Sequence, residues 1–80
     1  MQDIQARVRS IMSKVFGVDE GEITPDASQD TLEKWDSLRH MNLIVALEEE
    51  FGITLQDEQV LELLNYALVC EVVKEALAAR

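Results

Sequence analysis

The chain has 80 residues, 48% of them hydrophobic, with sixteen acidic against seven basic side chains and a formal net charge of −9. That length suits one domain with a modest core, and that charge argues against nucleic-acid binding, which needs basic surface, and for basic partners met in fast, salt-sensitive encounters. The single cysteine excludes an internal disulfide framework, no apolar run is long enough to span a membrane, and the start Met1-Gln2-Asp3 is no secretory signal, so the expectation is a discrete, monomeric, cytoplasmic protein.

The first predicted helix covers residues 2–16. Ile4, Val8, Ile11 and Val15 recur at helical spacing with Met12 and Phe16 beside them. Arg7, Arg9, Ser10 and Lys14 are left as a solvated basic face, and Gly17 marks the stop. Residues 17–36 form a long connection rich in Asp, Glu, Thr and Ser. A loop of that length in a compact domain needs anchors, and Val18, Ile23, Ala27, Leu32 and Trp35 can supply them. Ile23-Thr24-Pro25-Asp26 predicts a turn, and residues 31–34 a short helical turn. A calcium-loop reading from Asp19 fails: its sixth position would be Thr24 instead of glycine, and its twelfth Asp30 instead of glutamate.

The second helix, residues 37–51, follows Asp36 as N-cap and ends at Gly52. At about 100° per residue it carries two apolar faces. Leu43, Ile44, Leu47 and Phe51 share one with His40. Leu38, Met41 and Val45 share the other, flanked by Glu48. A small domain buries one such face well, so the second is either central to a bundle or an exposed patch for a partner. Ser37 opens this helix beside the second face. Unpaired N–H groups and the dipole stabilise a phosphate there, although an isolated Asp-Ser-Leu is more often a plain capping sequence.

A short third helix is expected over residues 57–63, with Val60, Leu61, Leu63 and Leu64 on its apolar side and Asn65 breaking the run. The last helix, residues 66–79, turns Leu68, Val69, Val72, Val73, Ala76 and Leu77 to the core and leaves Glu71, Lys74 and Glu75 in water. Cys70 reads as a small core or boundary residue. The apolar runs follow helical spacing throughout and no strand is expected. The fold class is all-α: a bundle of three main helices and one short helix, with a long loop between the first and second.

Catalysis finds little support. His40 stands three residues after Ser37 but has no evident orienting carboxylate or oxyanion hole, and reads as a boundary histidine. The sole His and sole Cys fall short of a zinc site, and three glycines make no phosphate loop. No catalytic residue and no metal site are assigned.

Asp36-Ser37-Leu38 opening an amphipathic helix that closes Leu47-Glu48-Glu49-Glu50-Phe51-Gly52-Ile53 resembles the acyl carrier protein family. The resemblance covers essentially the whole chain, read as one carrier domain over residues 1–80. It implies that a phosphopantetheinyl transferase, using coenzyme A and magnesium, attaches 4′-phosphopantetheine to Ser37. The arm would then hold acyl groups as thioesters for partner enzymes. Asp36 corresponds to the family's acidic neighbour, recognised by that transferase. Leu38, Met41 and Val45 would be apolar docking contacts, and Glu48 and Glu49 would meet basic side chains. Leu43, Leu47, Phe51 and Ile53 would line a core able to shelter a short acyl chain.

Housekeeping fatty-acid carriers usually have a glycine two residues before the aspartate and acidic residues just after Ser-Leu. Here Lys34 and Arg39-His40 hold those places, and Trp35 precedes Asp36. Trp35-Asp36-Ser37-Leu38 resembles discrete carriers of dedicated lipid, polyketide or nonribosomal peptide pathways. Two other readings stay open: an aminoacyl or peptidyl carrier of the same fold, and an unmodified helical module that binds a partner through Leu38, Met41 and Val45.

Overall fold

The structure is a computed structural model that describes residues 3–79. Its elements are α1 (Ile4–Phe16), a 3₁₀ turn (Glu20–Glu22), α2 (Ser37–Phe51), α3 (Asp57–Leu61) and α4 (Tyr66–Ala79). Among the described residues there is no strand, only an isolated antiparallel bridge between Ser28 and Asn65. The all-α expectation holds, and α2 and α4 match their predicted spans. The first helix was expected from position 2, which lies outside the described residues; Asp3 is its cap and α1 begins at Ile4.

Local chemistry explains the boundaries. Asp3 caps α1 by accepting from the Gln5 N–H, and Asp36 caps α2 by accepting from the Arg39 N–H at 2.8 Å. Both helices end in a glycine at positive φ, Gly17 at 68° and Gly52 at 63°. That conformation lets the next N–H turn back into the helix, Val18 to the Ser13 carbonyl and Ile53 to the Glu48 carbonyl. In α2 the returning residue, Ile53, is itself buried, so the stop also delivers a core side chain.

The α1 helix packs on both α2 and α4, and α2 also touches α4. Their apolar faces merge in one cluster that includes Val8, Met12, Phe16, Leu43, Leu47, Phe51, Val69 and Val73. The long connection is sewn to this cluster as expected. Ile23, Ala27 and Trp35 are buried, with Val18 and Leu32 packed at the edge. The turn at Pro25 closes through Ala27 N–H to the Thr24 carbonyl. The 3₁₀ turn was not anticipated; it is secured by the Asp19 N–H donating to Glu22. Residues 31–34 form turns and no helix, closed by Trp35 N–H to the Leu32 carbonyl. The connection finishes its anchoring where the Tyr66 N–H donates to the Ala27 carbonyl at 2.9 Å.

Four expectations need correction. Arg7 and Arg9 are not an idle solvated face. Arg7 donates to the Glu50 carbonyl, pairs loosely with its carboxylate and lies 4.3 Å from the Phe51 ring centre. Arg9 donates to the Ile23 carbonyl and covers Tyr66. The α3 helix stops at Leu61, two residues early, because the chain tightens to bring Leu63 under the core and Asn65 to the start of α4. Asn65 then accepts from the Leu68 N–H as a cap. Leu61 and Leu64 consequently face out, not in. Leu68 sits at the rim, since the buried arc of α4 is rotated towards Tyr66 and Cys70, both buried. Tyr66 satisfies its hydroxyl by donating to the Gln5 carbonyl at 2.7 Å.

Candidate functional site

The candidate site is the head of α2. The first N–H groups of a helix have no partner within it. The Asp36 carboxylate takes one of them, from Arg39, and the helical ladder starts with His40 N–H to the Asp36 carbonyl. The Ser37 and Leu38 N–H groups have no protein acceptor among the described residues, so the positive end of a fifteen-residue helix faces outward.

Ser37 is exposed at this end. The other serines are each less available. Ser10 is half-buried within α1, Ser13 donates its hydroxyl to the Val18 carbonyl, and the Ser28 hydroxyl accepts from the Asp30 N–H. A phosphodiester on the Ser37 hydroxyl therefore fits on three counts: solvent access, open N–H donors beside it, and a dipole that stabilises its charge.

The flanking carboxylate would oppose that charge, but it is occupied. Asp36 receives the Arg39 guanidinium at 2.8 Å as well as the Arg39 N–H. The cap expected for Asp36 is present, and Arg39 adds an ion pair that sequence reasoning missed. The i, i+3 spacing of opposite charges was the signal. Both partners are partly exposed, so the pair is worth at most about 1 kcal/mol and can open when another cation competes for the carboxylate.

The two faces of α2 separate as their spacing predicts. Leu43, Leu47 and Phe51 are buried, with Ile44 and His40 half-buried. Leu38, Met41 and Val45 are 72%, 61% and 53% exposed, a continuous apolar strip that starts beside Ser37. Glu49 is exposed next to it. Glu48 is only half-buried and one of its oxygens is committed, accepting from the Leu55 N–H at 2.9 Å. It thus braces the segment between α2 and α3. Replacing Glu48 by alanine should lower stability by about 1.5 kcal/mol through loss of a hydrogen bond to a charged acceptor, read as a lower urea midpoint; the same change at Glu49 should leave the midpoint unchanged.

Trp35 and His40 complete the site from below. The Trp35 indole is buried, stacked on Phe16 with ring centres 5.1 Å apart, and its N–H donates to His40 Nδ1 at 2.9 Å. Sequence reasoning placed Trp35 as an anchor and His40 at a boundary but did not pair them. A buried indole needs an acceptor, and the sole histidine five residues on was the available one.

Burial pushes the His40 imidazole below its ordinary value of 6.5, against an opposing contribution from the Val60 carbonyl. The unfolded chain therefore binds this proton more readily than the folded one. The His40 contribution to stability is complete above the ordinary value, falls as pH drops below it, and levels off below the folded value. Urea midpoints should decline across that interval in the wild type, and His40→Asn should remove this component.

Surface clefts lie elsewhere. One is lined by Asp3, Arg7, Ser10 and Glu50, another by Arg9, Pro25, Tyr66 and Cys70. Neither includes Ser37, which stands on open surface at the end of a helix.

A family described as "Phosphopantetheine attachment site" matches residues 6–73, which takes in most of α1, the connection, all of α2 and α3, and the first part of α4. The chain belongs to this family. It is also similar to the holo acyl carrier protein of Geobacter metallireducens, solved by NMR in solution. The two share 31% identity with a TM-score of 0.85, over 98% of this chain and 90% of the other. The protein is accordingly a carrier of the phosphopantetheine-attachment type, not a catalyst, and its cofactor is covalently attached 4′-phosphopantetheine. Carrier proteins of this kind meet phosphopantetheinyl transferases and acyl-processing enzymes. When attached, the arm supplies a terminal thiol.

Proposed function

We propose that Ser37 bears the arm and that residues 1–80 act as a single carrier domain, presenting acyl thioesters to the enzymes of a dedicated lipid or polyketide-type pathway. One observation carries this reading: the only exposed serine among the described residues stands at the open N-terminus of α2, at the head of an exposed apolar strip. The protein's own part is small and physical. It holds the serine hydroxyl in solvent, places unpaired N–H groups near the phosphodiester, and keeps the Asp36 charge balanced by Arg39 until a transferase approaches. The transferase's magnesium is then the competing cation for Asp36. The local charge supports a specialised role, since Arg39 and His40 follow Ser37-Leu38 where a more acidic surface would suit general fatty-acid enzymes.

Leu38, Met41 and Val45 form the docking strip in this reading, with Glu49 and the outer oxygen of Glu48 meeting basic groups. The direct experiment is incubation with coenzyme A, magnesium and a broad-specificity phosphopantetheinyl transferase, followed by intact mass and peptide fragmentation. One phosphopantetheine on the peptide containing Ser37 is the expected result; its appearance on another serine would overturn the assignment. Met41→Ser should leave stability within about 0.5 kcal/mol, as for an exposed position. It should lower the transferase kcat/KM roughly tenfold, in line with losing one buried methionine at an interface. An unchanged kcat/KM would remove Met41 from the docking strip.

A further inference from the structure

We propose that His40 is a positioning residue for the attachment turn, acting through Trp35, and that it does so only as the neutral imidazole protonated on Nε2. This rests on the reading of Ser37 as the residue that bears the arm. The indole N–H can only donate, so the 2.9 Å contact from Trp35 Nε1 to His40 Nδ1 requires Nδ1 to be an unprotonated acceptor. The remaining ring proton then belongs on Nε2. The imidazole ties the end of the connection to the first turn of α2, with the Val60 carbonyl of α3 nearby.

Trp35 and His40 are the two ends of a six-residue segment, Trp35-Asp36-Ser37-Leu38-Arg39-His40. Their hydrogen bond closes that segment into a ring of chain with Ser37 inside it. The lower end is immobile: Trp35 is 1% exposed and stacked on Phe16 of α1. The upper end is held by His40 N–H to the Asp36 carbonyl. Ser37 therefore has its place fixed from both sides without itself bonding to either.

A second proton on the ring would go to Nδ1 and set one N–H against another. The bond would then open and leave the indole N–H without its acceptor in a buried place. The groups facing the ring offer no compensation. Trp35 faces it from the connection, with Phe16 of α1 behind the indole, and the Val60 carbonyl faces it from α3. On its own helix the nearest charges are Asp36 and Arg39, already paired with each other. Among the described residues no carboxylate forms an ion pair with His40. Acid thus loosens the turn that carries the arm, and neutral pH fixes it.

The test uses the ¹⁵N-labelled holo protein, with the unmodified protein beside it. Imidazole, Trp35 indole and Ser37 amide signals are followed from about pH 8 to about pH 5, the range over which histidine titrates. At the upper end the His40 nitrogens should report the Nε2–H tautomer, with a slowly exchanging indole proton. On acidification the indole and Ser37 signals should move with the same midpoint as the imidazole. His40→Asn offers an oxygen in place of Nδ1 without titrating, and should keep the indole protected with flat pH profiles. His40→Leu should speed indole exchange about tenfold at every pH, matching the loss of one buried hydrogen bond.

An Nδ1–H tautomer at pH 8 would overturn the proposal. So would a His40 titration that leaves the Trp35 and Ser37 signals where they were. The attachment reading fails separately: a mass gain located away from Ser37, with coupled titration intact in the unmodified protein, would leave the positioning bond standing and remove only its link to the arm.

Discussion

Ser37→Ala is expected to stay at its unmodified mass under conditions in which the wild type gains one phosphopantetheine, while keeping its fold. The loss should be complete, because the other serines have hydroxyls that are engaged or half-buried. The fold should survive because the cap of α2 belongs to Asp36, not to Ser37, and alanine is the best helix former for a first turn. Stability should lie within about 0.5 kcal/mol of the wild type. The variant also separates the carrier reading from an unmodified interaction module. A module would keep its partner after this substitution, whereas a carrier would lose every downstream acyl transfer. An aminoacyl or peptidyl carrier would behave at Ser37 as an acyl carrier does, and would be recognised by the class of cargo found on the loaded arm.

Trp35→Ala is expected to have the largest effect on stability, about 3–5 kcal/mol, as for removal of a fully buried large aromatic side chain. Natural domains have only about 5–15 kcal/mol in all, and small ones bury less of their surface. The variant should therefore show a much lower urea midpoint, or only partial folding at room temperature. Trp35 stacks on Phe16 and closes the end of the connection, so its loss leaves a cavity where the connection meets the core. Trp35→Phe removes the hydrogen bond with a smaller cavity. It keeps an aromatic ring against Phe16 and leaves the half-buried His40 acceptor unpaired, which water can partly satisfy; about 2 kcal/mol is the expected loss, hydrogen bond and trimmed ring together. Midpoints for Trp35→Ala within about 1 kcal/mol of wild type would mean that the connection is held by Ile23 and Ala27 instead.

The main helices were legible because their signals are local and agree with one another. Asp36 and Gly52 bracket α2, its interior holds no proline, and the 3.6-residue period assigns Leu43, Leu47 and Phe51 to one face and Leu38, Met41 and Val45 to another. The exposure of that second strip was left as one of two alternatives, since periodicity alone does not say how many neighbours a helix has. The contacts that were missed join residues distant in sequence or depend on side-chain reach. Arg7 meets Glu50, Tyr66 meets Gln5, and Ser28 bridges Asn65; no short-range pattern announces them. Leu61 and Leu64 were misplaced because an apolar run crossing a short helix and a turn has no single period. At the head of α2, Asp36 caps the helix and Ser37 opens it as the sequence predicts, while the Arg39 clasp and the Trp35–His40 bond depend on side-chain reach that no local pattern specifies.

The hydrogen bond from Tyr66 to Ala27 has a consequence for how the molecule breathes. It ties the middle of the connection to the first residue of α4, so amide protection should run unbroken from Ala27 into that helix, and the two should exchange with solvent as one unit. The α3 helix is different: none of its five residues is buried. Its amides should exchange fastest of the four helices, through openings that leave α1, α2 and α4 assembled. A helix with no buried side chain can then unfold and refold while the three longer helices stay native.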